Sequence, residues 1–370
     1  MKIAITGAHG FLGWHARCRL LVEYPDAEVV ALGRDAFSSA KALQQGLSGA
    51  DLVLHFAGIN RADDKALEDG NQALADTLVK ALQAAGSRAH VIYANSVQCE
   101  RDIPYGRGKQ GAHRILLAHA DDTGTAYSNL VLPHLFGECG KPNYNAAVFT
   151  FCQQLVDGKE LQVNPDGRLE LLHAQQVMDL ALDAFRAGRT GTLRPSGTDI
   201  SVPAVAERLT RLYQSYTGGI IPDLRDSLDL QLFNMLRTFL FPAHYPVALE
   251  LKTDERGSLF ESVKTDHGGQ AFLSTTHPGI TRGNHYHFHK VERFLVIRGN
   301  AVIRIRRLFS DQVHEFHVSG DEPVYVDMPP LHTHNIENTG TEELMTLFWS
   351  HEIFDPQAPD TYFQPVETQG

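Results

Sequence analysis

The stretch Gly279–Gly299, GITRGNHYHFHKVERFLVIRG, limits what this chain can fold into more than any other. Its spacing is G-x5-H-x-H-x4-E-x6-G, with His285, His287 and Glu292 in the marked positions. On a strand, residues i and i+2 share a face, so His285 and His287 present two imidazoles side by side. Glu292 falls on the next strand, which continues as Phe294-Leu295-Val296-Ile297 and ends at Gly299. A second stretch, Pro329 to Asn338, adds His332 and His334, with Asn338 four residues beyond His334. Three imidazoles and one carboxylate suit a divalent transition metal. Alternation puts His332 on the face of His334, so both compete for the last ligand place.

These two stretches resemble the paired motifs of the cupin superfamily, a family of small β-barrels. The family's second motif, P-x-G-x-x-H-x-x-x-N, fits Pro329, His334 and Asn338, with Leu331 where the usual glycine would stand. That spacing favours His334 over His332. The expected metal set is therefore His285, His287, Glu292 and His334, holding one Zn2+ per chain. If the strand is regular, His289 shares the face of His285 and His287, either lining the pocket as a base or joining the metal shell.

A chain of 370 residues is long for one domain and points to two. A hydrophobic fraction of 43% supplies folded cores, and no apolar run reaches the length of about 18 residues that marks a membrane span. The net charge of −11 and the lack of a basic block argue against a nucleic-acid partner. Cys18, Cys99, Cys139 and Cys152 form no C-x-x-C pair and read as reduced thiols. Met1 leads straight into the strand-like Lys2–Thr6, leaving no room for a signal peptide. A cytoplasmic protein with no membrane insertion is expected.

The strand Lys2–Thr6 runs into Gly7-Ala8-His9-Gly10-Phe11-Leu12-Gly13, which opens a helix over about Phe11–Tyr24. Glycine lets the backbone turn sharply and approach a pyrophosphate, whose charge a helix N-terminus favours. Gly7, Gly10, Phe11, Leu12 and Gly13 are thus cofactor-binding residues. The second strand, Glu28–Leu32, ends in Gly33-Arg34-Asp35. Arg34 can pair with a 2′-phosphate, which favours NADPH, while Asp35 keeps a ribose contact of the NAD type open. A third strand, Asp51–Phe56, leads into a turn with Ala57 and Gly58, and a helix over Gly70–Ala85 precedes a strand at His90–Ala94. Ser96 follows, and Pro104-Tyr105-Gly106-Arg107-Gly108-Lys109 opens another helix, on which Tyr105 and Lys109 share a face.

From Met1 to about Leu240 these features resemble the short-chain dehydrogenase/reductase family, and H-x-A-G at His55–Gly58 resembles its extended, nucleotide-sugar branch. The resemblance implies Ser96, Tyr105 and Lys109 as the catalytic trio, with Ala57, Gly58, Tyr105 and Lys109 also touching the cofactor. His134 stands where that family commonly has asparagine. Lys141–Asn145 reads either as a substrate loop or as a helix-capping loop.

Around Phe241–Pro246 helical periods give way to short strands between turns. The expected fold is an α/β Rossmann-like doubly wound parallel sheet of the extended dehydrogenase/reductase type over residues 1–243, followed by an all-β cupin barrel over 244–370. The combination, with KPNYN, DERGSLFE, PGITRGNHYH and FDPQAPDTYF, resembles the CapF-type family of bifunctional capsular-polysaccharide and O-antigen enzymes. That resemblance implies C3 epimerisation of UDP-2-acetamido-2,6-dideoxy-4-hexulose in the cupin. NADPH-dependent C4 reduction to UDP-N-acetyl-6-deoxy-L-talosamine would follow, on the route to UDP-N-acetyl-L-fucosamine. A UDP-linked 4-keto amino sugar is then the substrate, and a homodimer the expected assembly. If His285 and His287 are ligands, His289 or Lys290 is the expected C3 base. Two rival readings stay open: a reductase fused to an Fe(II) cupin oxygenase, and a non-catalytic NADP-sensing module, against which the complete trio argues.

Overall fold

In the computed structural model, which describes residues 1–142 and 147–367, contacts divide the chain into two units. The first comprises Met1–Thr150 with Val163–Pro203, and the second Phe151–Gln162 with Ala204–Gly370.

The first unit alternates β1 (Lys2–Thr6), α1 (Phe11–Glu23), β2 (Glu28–Leu32), α2 (Arg34–Phe37), α3 (Ala40–Leu47), β3 (Leu52–His55), α4 (Asp64–Ala84), β4 (His90–Ser96), α5 (Pro104–Thr123) and β5 (Tyr127–Leu132). After them come β6 (His134–Phe136), α6 (Ala147–Val156), which passes into the second unit at Phe151, β7 (Arg168–His173), α7 (Ala174–Arg186), β8 (Gly191–Leu193) and β9 (Thr198–Ser201). Six strands form one parallel sheet in the order β2-β1-β3-β4-β5-β8. The alternation of the strands sorts their side chains onto two faces. Ile3, Ile5, Leu52 and Leu54 meet Leu20 of α1 and Val177, Met178 and Ala181 of α7. Ala4 and Val53 meet Leu43 of α3, Leu78 and Leu82 of α4, and Leu116 of α5. Both faces are therefore covered, as a doubly wound sheet requires. Strand order reverses between β1 and β3, so a ligand crevice opens beyond their carboxyl ends. The helix expected from Gly70 starts earlier, at Asp64, because the Asp63 side chain accepts the Ala66 N–H at 2.9 Å and caps it.

The second unit carries α8 (Val202–Thr217) and α9 (Ser227–Leu240), then β10 (Val247–Ala248), β11 (Lys252–Asp254), β12 (Gly257–Leu259), β13 (Gln270–Thr276), β14 (Thr281–Tyr286), β15 (Glu292–Arg298) and β16 (Asn300–Arg307). It ends in β17 (Val313–Ser319), β18 (Val324–Met328), β19 (His332–Asn338), β20 (Leu344–Ser350) and β21 (Tyr362–Phe363). Two five-stranded sheets, β10-β18-β15-β20-β13 and β17-β16-β19-β14-β21, enclose a core that includes Phe294, Val296, Ile303, Ile305, Ile336 and Phe348. The result is a cupin-like barrel, all antiparallel.

The residue pattern changes near Pro242, but contacts group α8 and α9, which precede that change, with the strands. Buried polar bonds explain the grouping. Asp327 accepts Arg293 Nε and Nη2 at 2.7 and 2.9 Å and the Tyr216 hydroxyl of α8 at 2.6 Å. Arg237 of α9 donates to the Met328 carbonyl at 2.7 Å.

Candidate functional sites

The glycine turn after β1 is tight enough to exclude side chains at two points. Gly7 has φ +68°, and a Cβ there would lie 2.7 Å from the Ala57 nitrogen. A Cβ on Gly13 would lie 2.2 Å from the Gly7 carbonyl oxygen, so strand, turn and helix can only close on glycine. Gly10 is the N-cap of α1 and offers no capping side chain, which leaves the Phe11–Gly13 end of the helix open to an anion. Arg34 and Asp35 are both exposed at the start of α2, at the end of β2, and among the described residues Arg34 has no ion-pair partner.

Ala57 and Gly58 follow β3 in a loop held from two sides. The Ala57 N–H donates to Thr6 Oγ1 at 3.3 Å. Asn71 of α4 accepts the Ile59 N–H at 3.0 Å and returns an N–H to the Ile59 carbonyl at 2.8 Å. Neither Thr6 nor Asn71 stood out in the sequence; the structure shows Asn71 buried on its helix face (3% exposed). His55 sits beneath, fully buried, its Nδ1 2.7 Å from Thr6 Oγ1, and burial with the Lys109 charge pulls it down to about 3. It is a neutral packing group.

Ser96 ends β4, and Tyr105 lies in the first turn of α5. Burial pushes the Tyr105 phenol up, and a hydrogen bond with Ser96 draws it partly back. One turn on, the Lys109 ammonium donates to the Ala94 carbonyl at 2.5 Å and lies 4.2 Å from the centre of the Tyr93 ring. Burial brings Lys109 down to about 7, so this amine is poised near neutral pH. His134 is exposed on β6. Of the segment Lys141–Asn145, positions 143–145 lie outside the described residues.

In the barrel, His285 of β14, Glu292 of β15 and His334 of β19 face one another with His287, their ligand atoms all within 4.8 Å. The Glu292 Oε2 lies 3.9, 3.2 and 3.4 Å from the Nε2 atoms of His285, His287 and His334. Burial alone would raise the Glu292 carboxyl, but the three histidines gathered around it hold it well below the usual carboxylate range. Two rings use their other nitrogen on the backbone. His287 Nδ1 donates to the Asp360 carbonyl at 2.6 Å and His334 Nδ1 to the His332 carbonyl at 3.2 Å. Both therefore keep the Nε2 lone pair that a metal needs. The His334 Nε2 is buried without a hydrogen-bond partner. An orphaned nitrogen, converging imidazoles and one carboxylate fit a divalent ion of the zinc type. A bulge at Asn284, φ +59°, re-aims the chain just before His285. Leu331 takes up φ +57° at the position where the cupin motif has glycine, and its N–H donates to the His287 carbonyl at 2.8 Å.

The other histidines of these motifs go elsewhere. The strand carrying His285 stops at Tyr286, so the regular alternation that would align His289 with it fails. His289 is half exposed instead, with Nδ1 3.3 Å from Asp360 Oδ2 and Nε2 3.9 Å from Glu352 Oε2. The Lys290 ammonium donates to the Pro359 carbonyl at 2.6 Å and to Thr361 Oγ1 at 3.2 Å. His332 packs its ring 5.1 Å from that of Phe241, with Nδ1 bonded to the Pro330 carbonyl, outside the convergent group. No helix among the described residues is long and apolar enough to cross a membrane.

Two family models match separate parts of the chain. Residues 3–193 match the NAD dependent epimerase/dehydratase family, and residues 252–362 match the polysaccharide biosynthesis C-terminal domain. The UDP-2-acetamido-2,6-beta-L-arabino-hexul-4-ose reductase of Pseudomonas aeruginosa is 32% identical over 367 residues, 98% of either chain. The crystal structure of the capsular polysaccharide assembling protein CapF from Staphylococcus aureus superposes with a TM-score of 0.62 at 31% identity, over 99% of this chain and all of that one. A UDP-N-acetylglucosamine 4-epimerase from Bacillus cereus, 21% identical with a TM-score of 0.51 over 58% of this chain and 82% of its own, shares the fold.

Proposed function

We propose a bifunctional nucleotide-sugar enzyme, on the premise that the chain belongs to the NAD dependent epimerase/dehydratase family in its CapF-type, two-domain form. The N-terminal part reduces a UDP-linked 4-keto amino sugar. The observation that carries this is the buried Lys109 one helical turn from Tyr105, whose phenol Ser96 draws down against the effect of burial. A reduced nicotinamide, which the Gly7–Gly13 turn and the open end of α1 would hold, would supply hydride to the keto carbon, and Tyr105 gives its proton to the forming alkoxide. Lys109 stabilises the phenolate left behind, and Ser96 holds the carbonyl oxygen in line. NADPH is the donor we assign, supported by the exposed Arg34 after β2, which has no ion-pair partner among the described residues.

The barrel, residues 244–370 in our assignment, epimerises C3 of UDP-2-acetamido-2,6-dideoxy-4-hexulose before that reduction, which gives UDP-N-acetyl-6-deoxy-L-talosamine. His285, His287, Glu292 and His334 would hold one Zn2+, which when bound polarises a carbonyl as a Lewis acid. The C3 base comes from the neighbouring turn, and the half-exposed His289 suits the part better than Lys290, whose ammonium is tied to Pro359 and Thr361. A cytoplasmic homodimer completes the reading. The test is to incubate the 4-keto UDP-sugar with the protein in deuterated water, first without and then with NADPH, and follow it by NMR. Deuterium should enter C3 without NADPH, and the C4 alcohol should form only with it. Absence of both reactions in folded protein rejects the assignment.

A further inference from the structure

We propose that Asp360 is the positioning residue of the barrel's metal centre, knotting the turn between His287 and Glu292 with its carboxylate and fixing the tautomer of His287 with its carbonyl. The proposal rests on the metal reading above and concerns how this chain builds that site.

Between the end of β14 at Tyr286 and the start of β15 at Glu292 the chain has no ladder partners of its own. Backbone N–H groups there must find acceptors elsewhere or stay unsatisfied. Asp360 supplies them. Its Oδ1 accepts the Phe288 N–H at 3.0 Å, and its Oδ2 accepts those of His289 and Lys290 at 2.9 and 2.8 Å. Three charge-assisted bonds from successive residues leave that turn little freedom. The same residue's carbonyl takes the His287 Nδ1–H at 2.6 Å, so the ring points Nε2 toward Glu292. One residue thus orients a ligand and shapes the turn between two of them.

The strap that carries Asp360 is anchored on both sides. Tyr362 and Phe363 pair with Tyr286 and His285, and the carbonyls of Pro365 and Val366 accept bonds from the Arg306 guanidinium. Asp360 is 4% exposed with φ +39°, a backbone region costly for a residue with a Cβ, and these contacts hold it there. From the opposite flank Asn234 of α9 donates to the His289 carbonyl at 2.8 Å. His289, Glu352 and Asp360 also approach one another closely, but the Asp360 oxygens are already engaged by three N–H groups. That trio is the knot of the turn rather than a second metal site.

The experiment uses the full chain with Asp360→Ala and Asp360→Asn, and cooperative thermal unfolding of the barrel serves as the folding control. Zinc affinity is measured by competition with a chromophoric chelator. The His287 tautomer is read from side-chain 15N–1H correlations in metal-stripped protein. We expect Asp360→Ala to weaken zinc about 10- to 100-fold, and Asp360→Asn to fall between it and the wild type. Metal-stripped wild type should hold His287 protonated on Nδ1, whereas Asp360→Ala, which keeps the carbonyl but loses the three carboxylate bonds that fix its place, should mix the two tautomers. A merely structural role would leave that signature alone. Zinc affinity within about twofold of wild type, with His287 unchanged, in the folded variants overturns the proposal; if Asp360→Ala does not fold, Asp360→Asn decides by the same measure. Wild-type protein that binds no zinc defeats the metal reading instead, and the tautomer spectrum still judges Asp360.

Discussion

Tyr105 and Arg34 each isolate one atom-level question. Tyr105→Phe removes the proposed acid and keeps the ring that packs at the start of α5. C4 reduction should fall by at least about 100-fold, the usual scale for a lost general acid, while C3 still exchanges with solvent. Deuterium NMR checks both reactions in one tube, and loss of both in a folded variant would refute two separate sites. Arg34→Ala tests the cofactor. The side chain is exposed with no ion pair among the described residues, so its removal should leave the fold intact. A charged hydrogen bond is worth about 1.5–3 kcal/mol, so NADPH should bind roughly ten- to a hundredfold more weakly, with NADH little changed. Equal losses in titrations of the two cofactors would remove the basis for choosing NADPH.

Among elements, the pair β15–β18 carries the most consequential polar contact of the second unit. Arg293 and Asp327 are register partners, 2% and fully buried, and Tyr216 of α8 shares the carboxylate. Asp327→Ala leaves a buried guanidinium uncompensated and should cost about 3–5 kcal/mol. Urea unfolding followed by barrel fluorescence measures it; a loss below about 1 kcal/mol would mean that water replaces the carboxylate. The double variant Arg293→Met with Asp327→Leu should recover most of the loss, because it removes both charges.

This contact also marks where sequence reading stops. The glycine turn, α1, the start of α5 at Pro104 and the strands of the barrel announce themselves through neighbours within a few residues, by periodicity, glycine and proline. The set His285, His287, Glu292 and His334 was legible because two short motifs carry all four, with the choice of His334 over His332 resting on the resemblance to the cupin motif. Asp360 was not legible as a partner of His287, because 73 residues separate them and the acceptor is a backbone carbonyl, which no residue type signals. His289 was misplaced by assuming a regular strand, when the chain leaves the ladder at Tyr286. The grouping of α8 and α9 with the barrel escaped because amphipathic helices state that they pack, not against what.

At the scale of the whole molecule, the two proposed chemistries would be linked through one ketone. The carbonyl at C4 would acidify the C3 proton for the first reaction and be consumed by the second, so on this proposal epimerisation precedes reduction. That order predicts what metal loss does. His287→Ala removes a proposed ligand whose ring is 2% exposed and held through Nδ1 by the Asp360 carbonyl, so zinc content should drop from about one per chain toward zero, with C3 exchange. The barrel should also lose thermal stability in the variant and in chelator-treated wild type, since a bound metal stabilises the state that holds it. NADPH binding should stay as it was, because its residues all lie in the first unit. With the epimerised ketone supplied directly, the variant should still reduce it; with the unepimerised ketone it should form little of the talosamine product. Metal analysis, calorimetry and product NMR on the two substrates separate these outcomes. Unchanged zinc in His287→Ala would remove the site, and unchanged C3 exchange without zinc would remove its part in the chemistry.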